Sequence, residues 1–363
     1  MKFSFLHSAF DLLEHMGGQL SNLRGSVSVG SEPHTDSTIK QAAVDWCTGG
    51  DARDAVIAKH GAMKDWDVSA VTNMANLFNG WGDRGGNDIF KTCVLYVEDW
   101  NVSSVTDMSY MFYYAEGFNG DLSKFDTSSV TDMSDMFAYA HAFNGDLSNF
   151  DTSSVTDMND MFYEALAFNG DLSNFDTSSV TDMGGMFSYA SAFNGDLSNF
   201  DTSSVNNMNS MFDNASAFNG DVSNFDTSSV TSMSCMFCFA EAFNGDLSKF
   251  DTSSVNIMSW MFREAKAFNG DVSNFDTSSV TDMSWMFMEA KAFNGDVSNF
   301  DTSSVTDMSY MFFFASAFNA DISQWDVSGC TKFDRFLFGA SSFDNNLCDA
   351  GASPSWQSSS YCN

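Results

Sequence analysis

The sequence is poor in proline, in basic residues and in histidine. Of its 363 residues, two are proline, five are histidine and 15 are lysine or arginine, against 48 aspartate and glutamate residues. The net charge of −33 argues against nucleic acids and anionic membranes as partners, because both require a basic surface. It favours cations or basic partners instead. No apolar run approaches the roughly 18 residues of a membrane-spanning helix, so we expect no transmembrane segment.

The scarcity of histidine also bears on catalysis. Four of the five histidines, His7, His15, His34 and His60, precede the repeats, and His141 occupies a position that varies between them. Serine and aspartate are abundant, but a nucleophile needs a base in register with it. We therefore expect no catalytic site and no enzyme activity.

A 25-residue unit fills most of the chain. The unit from Phe118 to Ala142, FNGDLSKFDTSSVTDMSDMFAYAHA, starts again at eight further phenylalanines. These are Phe143, Phe168, Phe193, Phe218, Phe243, Phe268, Phe293 and Phe318. A fixed period of this length is typical of a solenoid, in which each unit buries its apolar side against its neighbours. With the divergent copies at both ends, we expect about eleven coils.

The sequence divides into four parts. We expect an N-terminal segment at 1–36, a helical N-terminal cap at 37–64, the repeat solenoid at 65–343 with an insertion near 80–98, and a C-terminal cap or tail at 344–363. Two short amphipathic patterns on either side of a Gly-Gly pair indicate the helical cap. Repeat arrays need such caps because an end unit has no neighbour on one side.

The pattern within one unit predicts a short helix and a short strand. Apolar residues recur at spacings of three and four from Val130 to Phe143, and Ser129–Asp132 has the form of a helix N-cap. Asn144-Gly145 favours a tight turn, and Asp121–Asp126 is short and half apolar, which suits one strand per coil. We therefore expect an α/β repeat fold, a right-handed solenoid of 25-residue coils with a parallel sheet along one side.

Two polar columns run through the repeats. One is asparagine, able to pass hydrogen bonds from coil to coil as a structural ladder. Its members are Asn119, Asn144, Asn169, Asn194, Asn219, Asn244, Asn269, Asn294 and Asn319. The other is aspartate, whose carboxylates either accept backbone amides in turns or share cations, with Ca²⁺ the best-suited ion. Its members are Asp126, Asp151, Asp176, Asp201, Asp226, Asp251, Asp276 and Asp301. We expect no cofactor apart from this candidate Ca²⁺.

The cysteines are concentrated at the ends of the repeats. Cys47 and Cys93 flank the first repeat, and Cys348 and Cys362 lie in the tail. If the protein is secreted, these four cysteines are suited to two disulfides that staple the ends. A Cys-x-x-Cys pair at Cys235–Cys238 has the spacing of metal ligands, but no histidine or second pair accompanies it, so we expect no metal there.

Any information for a partner must lie where the repeats differ. One position is polar in the middle repeats and aromatic toward the C-terminus, through Tyr110, Asp135, Asp160, Gly185, Ser210, Cys235, Trp260, Trp285 and Tyr310. Exposed aromatic residues on consecutive coils are suited to protein or sugar contacts. The candidate binding residues are Tyr110, Trp260, Arg263, Trp285 and Tyr310. The alternative is a helix surface packed against neighbouring coils.

The repeat resembles the unit of the BspA-like leucine-rich-repeat surface proteins, W-D-x-S-x-V-T-x-M-x-x-M-F-x-x-A-x-x-F-N. Trp66–Met74 and Trp100–Met108 match its first half, and the pattern continues to Phe343. Phenylalanine replaces the tryptophan in the middle repeats. The resemblance implies a leucine-rich-repeat-like fold and a secreted or surface-attached protein, with adhesion to host or matrix proteins in some members.

These observations predict a non-enzymatic extracellular or cell-surface repeat protein that mediates adhesion or recognition. We expect a monomer with a protein or glycan partner. One alternative is an ice- or mineral-binding protein that uses regular rows such as Thr127, Ser128 and Ser129 together with the aspartate column. The other alternative is a calcium-dependent structural scaffold.

Overall fold

The computed structural model describes residues 32–84, 86–349 and 351–362. The chain divides into two units, Met1–Glu32 and Pro33–Asn363, and the second contains the repeats. Most of the segment predicted at 1–36 lies outside the described residues, as do His7 and His15.

Helices occur at the two ends of the second unit and in the insertion. The α-helices are α1 (Ile39–Thr48), α2 (Gly50–His60) and α3 (Pro354–Ser358), and the 3-10 helices are Met63–Asp65, Gly82–Arg84 and Asp88–Lys91. α1 buries Ile39, Ala42, Ala43 and Trp46, which share one face at spacings of three and four. Gly49, at a φ of 76°, separates α1 from α2. No helix in the described part of the chain is long and apolar enough to cross a membrane.

The repeats themselves are built from β-turns. In the coil that begins at Phe118, one turn follows another, each closed by a hydrogen bond from a backbone N–H to the carbonyl three residues earlier. These turns include Leu122–Phe125, Thr127–Val130, Met133–Met136, Phe137–Ala140 and Ala140–Phe143, with N–O distances of 2.9 to 3.2 Å. The same turns recur 25 residues later, so one coil is a closed succession of turns.

The predicted fold class is therefore wrong. Within the repeats of the described chain there is no strand longer than a single bridging residue and no α-helix, so the expected leucine-rich-repeat-like solenoid of strand-and-helix coils with a parallel sheet does not form. Adjacent coils share one isolated parallel bridge each, such as those from Asp132 to Asp107 and to Asp157.

Hydrogen bonding between coils explains the absence of the helix. An α-helix needs each N–H to donate to the carbonyl four residues earlier. Here the N–H groups of Met133, Asp135, Phe137 and Tyr139 donate to the following coil instead, at 2.7 to 3.1 Å. Consecutive turns also place every third or fourth side chain inward. They therefore produce the same spacing of apolar residues from which a helix was predicted.

Two left-handed positions in each coil make these turns possible. Asp135 has a φ of 54° and Tyr139 a φ of 59°, and each is the third residue of its turn. A type II turn requires a positive φ at this position, and a helix does not tolerate one. The equivalent residues in the other coils also have positive φ values, among them Gly185 at 59° and Asn214 at 56°.

The core consists of apolar columns that stack from coil to coil. Phe137 is fully buried, and its ring centroid lies 3.9 Å from that of Phe143, the first residue of the next repeat. It also lies 5.6 Å from Phe112 in the preceding coil and 5.7 Å from Phe162 in the next. Burial of each such ring contributes roughly 2 to 3 kcal/mol. The valine and methionine columns are buried beside the rings.

The asparagine column forms a continuous chain of hydrogen bonds. The Oδ1 atom of Asn119 accepts the backbone N–H of Asn144 at 2.9 Å, and Asn144 accepts that of Asn169 in the same way. The pattern continues at 2.7 to 2.8 Å as far as Asn319. Each side chain therefore satisfies a backbone donor of the next coil and holds the two coils in register.

Candidate functional site

The positions that vary between repeats lie around the left-handed turns. We call the surface formed by the residues equivalent to Asp135, Ala138 and Tyr139 the turn face. In the eight repeats that begin at Phe118 through Phe293, the first of these positions carries six residue types and the second carries eight. The inward positions hardly change. Differences in chemistry along the protein are therefore concentrated on the turn face.

Near its C-terminal end the turn face carries a stack of aromatic rings. The Trp260 and Trp285 centroids are 5.1 Å apart, and those of Trp285 and Tyr310 are 4.1 Å apart. The Arg263 guanidinium lies 4.6 Å from the Trp260 centroid and 5.6 Å from that of Trp285. We call these four residues the aromatic row. All four are partly buried, and the ring of Trp285 is stacked between those of Trp260 and Tyr310.

The fifth predicted binding residue is not part of this row. Tyr110 lies eight coils before Tyr310 and contacts Tyr113, at a centroid distance of 5.2 Å. A basic residue near the row is paired with an acidic one, because Lys266 lies 2.6 Å from Glu241. Glu264 belongs to the turn face of the same coil as Trp260. The structure therefore brings together four of the five predicted residues, in an environment of mixed charge.

A cleft interrupts the middle of the turn face. Gly184 and Gly185 stand where other repeats carry side chains, and together with Asp160, Tyr163 and Asp213 they line a cavity of about 400 Å³. Burial raises the pKa of Asp160 to about 6, and the charges of neighbouring aspartates add to the effect. We call this cavity the glycine cleft. Sequence analysis missed it, although the Gly-Gly pair is unique among the repeats and was the available signal.

A cluster of two thiols and a carboxylate lies next to the cleft. A carboxylate oxygen of Asp213 and the Sγ atoms of Cys235 and Cys238 all lie within 4.8 Å of one another. Both cysteines are free, and Cys238 is 1% exposed. Asp213 stands 25 residues before Cys238, at the same position of the preceding coil. Sequence analysis missed this residue because the cluster becomes visible only when adjacent coils are placed side by side.

The aspartates predicted as Ca²⁺ ligands are exposed and take part in turns. Asp126 Oδ1 accepts the backbone N–H of Ser128 at 3.2 Å and its hydroxyl at 2.7 Å. The backbone bond recurs at every member of the column up to Asp301. At Asp151 the hydrogen bonds from Ser153 lower the pKa of the carboxyl. One oxygen of each carboxylate is thus engaged by its own turn.

The threonine row considered for ice or mineral binding is inside the molecule. Thr127 is fully buried, and its hydroxyl donates to the carbonyl of Asp151 at 2.9 Å. The equivalent threonines are buried in the same way. Ser128 and Ser129, which belong to the other two rows considered for this function, are exposed.

The structure contains two disulfides, each with a Cα–Cα distance of 5.6 Å. Cys47 at the end of α1 is bonded to Cys93 in the insertion, and Cys348 is bonded to Cys362 in the tail. Cys330, the remaining free cysteine, is buried and lies far along the chain from Cys238.

Comparison with known proteins identifies one family. The profile of the family described as "Mycoplasma protein of unknown function, DUF285" matches residues 54–91, 85–200, 171–275 and 258–361, which together cover most of the chain. No curated protein and no solved structure shows a significant match.

Proposed function

This chain belongs to the DUF285 family of repeat-containing proteins of unknown function, and we propose that it is a non-enzymatic extracellular recognition protein that binds a protein partner through the aromatic row. The observation that carries the proposal is the stack of Trp260, Trp285 and Tyr310 beside Arg263. Tryptophan, tyrosine and arginine are the residues that most often dominate the energy of protein interfaces.

The geometry of the row favours a protein over a glycan. Sugars stack on the open faces of aromatic rings, but here Trp285 lies between Trp260 and Tyr310, at 5.1 and 4.1 Å. Both faces of Trp285 and one face of each outer ring are therefore covered. Ring edges and a guanidinium remain for contact, and these suit the mixed apolar and polar surface of a folded partner. The net charge of −33 further favours a partner with basic residues around the contact.

Two observations support an extracellular location. The two disulfides are typical of oxidising compartments outside the cytoplasm. The resemblance of the repeat unit to the BspA-like surface proteins agrees with adhesion as the biological role. The buried threonine row, by contrast, gives no support to ice or mineral binding.

The test is affinity measurement on variants of the row. Proteins of the surface and culture medium of the producing cells are first captured on the immobilised chain, and each one recovered is then measured by surface plasmon resonance. Trp260→Ala and Trp285→Ala are each expected to cost about 2 kcal/mol, or roughly 30-fold in Kd.

Tyr189→Ala is the matched control, because Tyr189 is an exposed aromatic residue of the same turn face in the glycine cleft, outside the row. Its affinity for the partner is expected to equal that of the wild type. If Trp260→Ala and Trp285→Ala bind every recovered protein as tightly as Tyr189→Ala does, the row is not the contact surface and the proposal is wrong.

A further inference from the structure

The cluster of Asp213, Cys235 and Cys238 has the composition of a thiolate metal site. The three side chains come from adjacent coils, and their ligand atoms already lie within 4.8 Å of one another. Cys235 and Cys238 occupy a single β-turn, closed by a hydrogen bond of 3.2 Å from the N–H of Cys238 to the carbonyl of Cys235. This turn fixes the separation of the two sulfur atoms.

The charges around the cluster suit a bound dication. Two thiolates and a carboxylate around a divalent ion leave a net charge of −1, and the guanidinium of Arg263 is available to offset it. The positive charge of Arg263 acts on the Asp213 carboxylate. Arg263 itself is held in place above the rings of Phe239 and Trp260, at 4.7 and 4.6 Å.

The glycine cleft provides a route to the cluster. Asp213 lines the cleft together with Ser210, so the carboxylate is reachable from solvent. Cys238, in contrast, is almost completely buried behind it. Three protein ligands with an open side match a four-coordinate zinc site whose last position is filled by water.

We propose that Asp213, Cys235 and Cys238 bind a thiophilic divalent metal ion of the zinc class. Binding forms two metal–sulfur bonds and one metal–oxygen bond and releases the two thiol protons to solvent. Soft sulfur ligands favour Zn²⁺ over Ca²⁺ or Mg²⁺. The site shares Arg263 with the aromatic row, but the proposal does not rest on the proposed function, because metal binding and partner affinity are measured separately.

Cobalt is the probe for this site, since Co²⁺ replaces Zn²⁺ and reports on its ligands by absorption. The full chain is purified with its two disulfides intact, and its free thiols are counted before titration. One equivalent of Co²⁺ is expected to produce a thiolate-to-cobalt charge-transfer band, and one equivalent of Zn²⁺ is expected to bleach it. Each of Cys235→Ser and Cys238→Ser is expected to abolish the band.

Two further variants sharpen the result. Asp213→Asn is expected to weaken Co²⁺ binding by more than about tenfold, because even residues outside the ligand shell are commonly worth 10- to 100-fold in metal affinity. Cys330→Ser removes a free buried cysteine elsewhere and is expected to keep the full band. Circular dichroism of each variant without metal confirms that the chain is folded.

Three outcomes would overturn the assignment. The first is the absence of a band although both thiols are free and the chain is folded. The second is a disulfide between Cys235 and Cys238 in the purified protein, which would make the pair a redox bond. The third is a band that persists in Cys235→Ser and Cys238→Ser, which would place the cobalt elsewhere.

Discussion

Single residues in this protein are constrained by the turns in which they lie. The aspartates of the outer columns stabilise their turns by accepting backbone amides, as Asp151 does from Ser153 at 3.0 Å. Asp160 has a different environment, because it occupies a left-handed position at the edge of the glycine cleft with a φ of 52°. The same side chain type is therefore stabilising on one surface and destabilising on the other.

The pKa of Asp160 predicts a measurable pH dependence of stability. Burial, together with the charges of Asp182 and Asp157, raises this pKa from 3.8 to about 6. The folded state then holds the proton more tightly than the unfolded state, so ionisation lowers stability as the pH rises from about 4 to about 6. Asp160→Asn removes this cost. Above pH 6 we expect its free energy of unfolding to exceed that of the wild type by on the order of 1 kcal/mol, because partial exposure reduces the effect.

The measurement is urea unfolding at a series of pH values, and Asp151→Asn is the control of opposite sign. The pKa of Asp151 is lowered, so its contribution to stability is present at neutral pH and is lost as the pH falls through the folded-state value. Asp151→Asn should be less stable than the wild type at pH 7. If the gap between Asp160→Asn and the wild type does not shrink toward pH 4, the raised pKa is wrong.

At the scale of structural elements, the repeat shows what a side-chain pattern determines and what it leaves open. The identity of the buried residues follows from the pattern, since Val130, Met133 and Phe137 are inward in a helix and in successive turns alike. The conformation of the backbone does not follow from this pattern, because a helix and a succession of turns have the same spacing of apolar residues. Glycine, asparagine and aspartate at the left-handed positions, such as Gly185 and Asn214, were the signal for turns.

The candidate sites show the same division. The aromatic row was predictable because its members share one repeat position, and a fixed period brings them onto consecutive coils. The metal cluster was not, because Cys235 and Cys238 occupy two different repeat positions and Asp213, in the preceding coil, shares only that of Cys238. Whether that position lies within reach depends on the conformation of the turn, which the apolar pattern does not specify.

The two disulfides should contribute unequally to stability. Cys47–Cys93 closes a sequence separation of 46 residues and Cys348–Cys362 one of 14. The loss of entropy in the unfolded chain grows with the length of the closed loop, which gives about 4 kcal/mol for the first disulfide and about 3 kcal/mol for the second. Replacement of both cysteines of one pair by serine, followed by guanidinium unfolding, measures each contribution. A larger loss at Cys348–Cys362 would show that local packing outweighs loop entropy.

At the scale of the whole molecule, stability depends on the register between coils. Within the regular 25-residue repeats, backbone hydrogen bonds from one coil to the next join residues 24 to 26 positions apart, as from Ser210 to Ser234 and from Phe212 to Met236. The ring stacks and the asparagine column repeat with the same period. Because each coil contacts only its neighbours, the stability of the array is approximately the sum of the contributions from similar interfaces between coils.

Two deletions that differ by one residue test this dependence on register. Deletion of residues 211–235 joins Ser210 to Met236 and restores the unit with one coil fewer, so we expect one cooperative unfolding transition and an unchanged circular dichroism spectrum per residue. Deletion of residues 211–234 leaves one extra residue inside a left-handed turn. At this junction the N–H groups of Cys235, Phe237 and Phe239 donate to the next coil, and their misplacement should cost roughly 3 kcal/mol, at about 1 kcal/mol for each hydrogen bond. Thermal unfolding of the two deletion variants measures this difference in stability. If the two variants are equally stable, the coils tolerate a shifted turn, and stability does not depend on the register between coils.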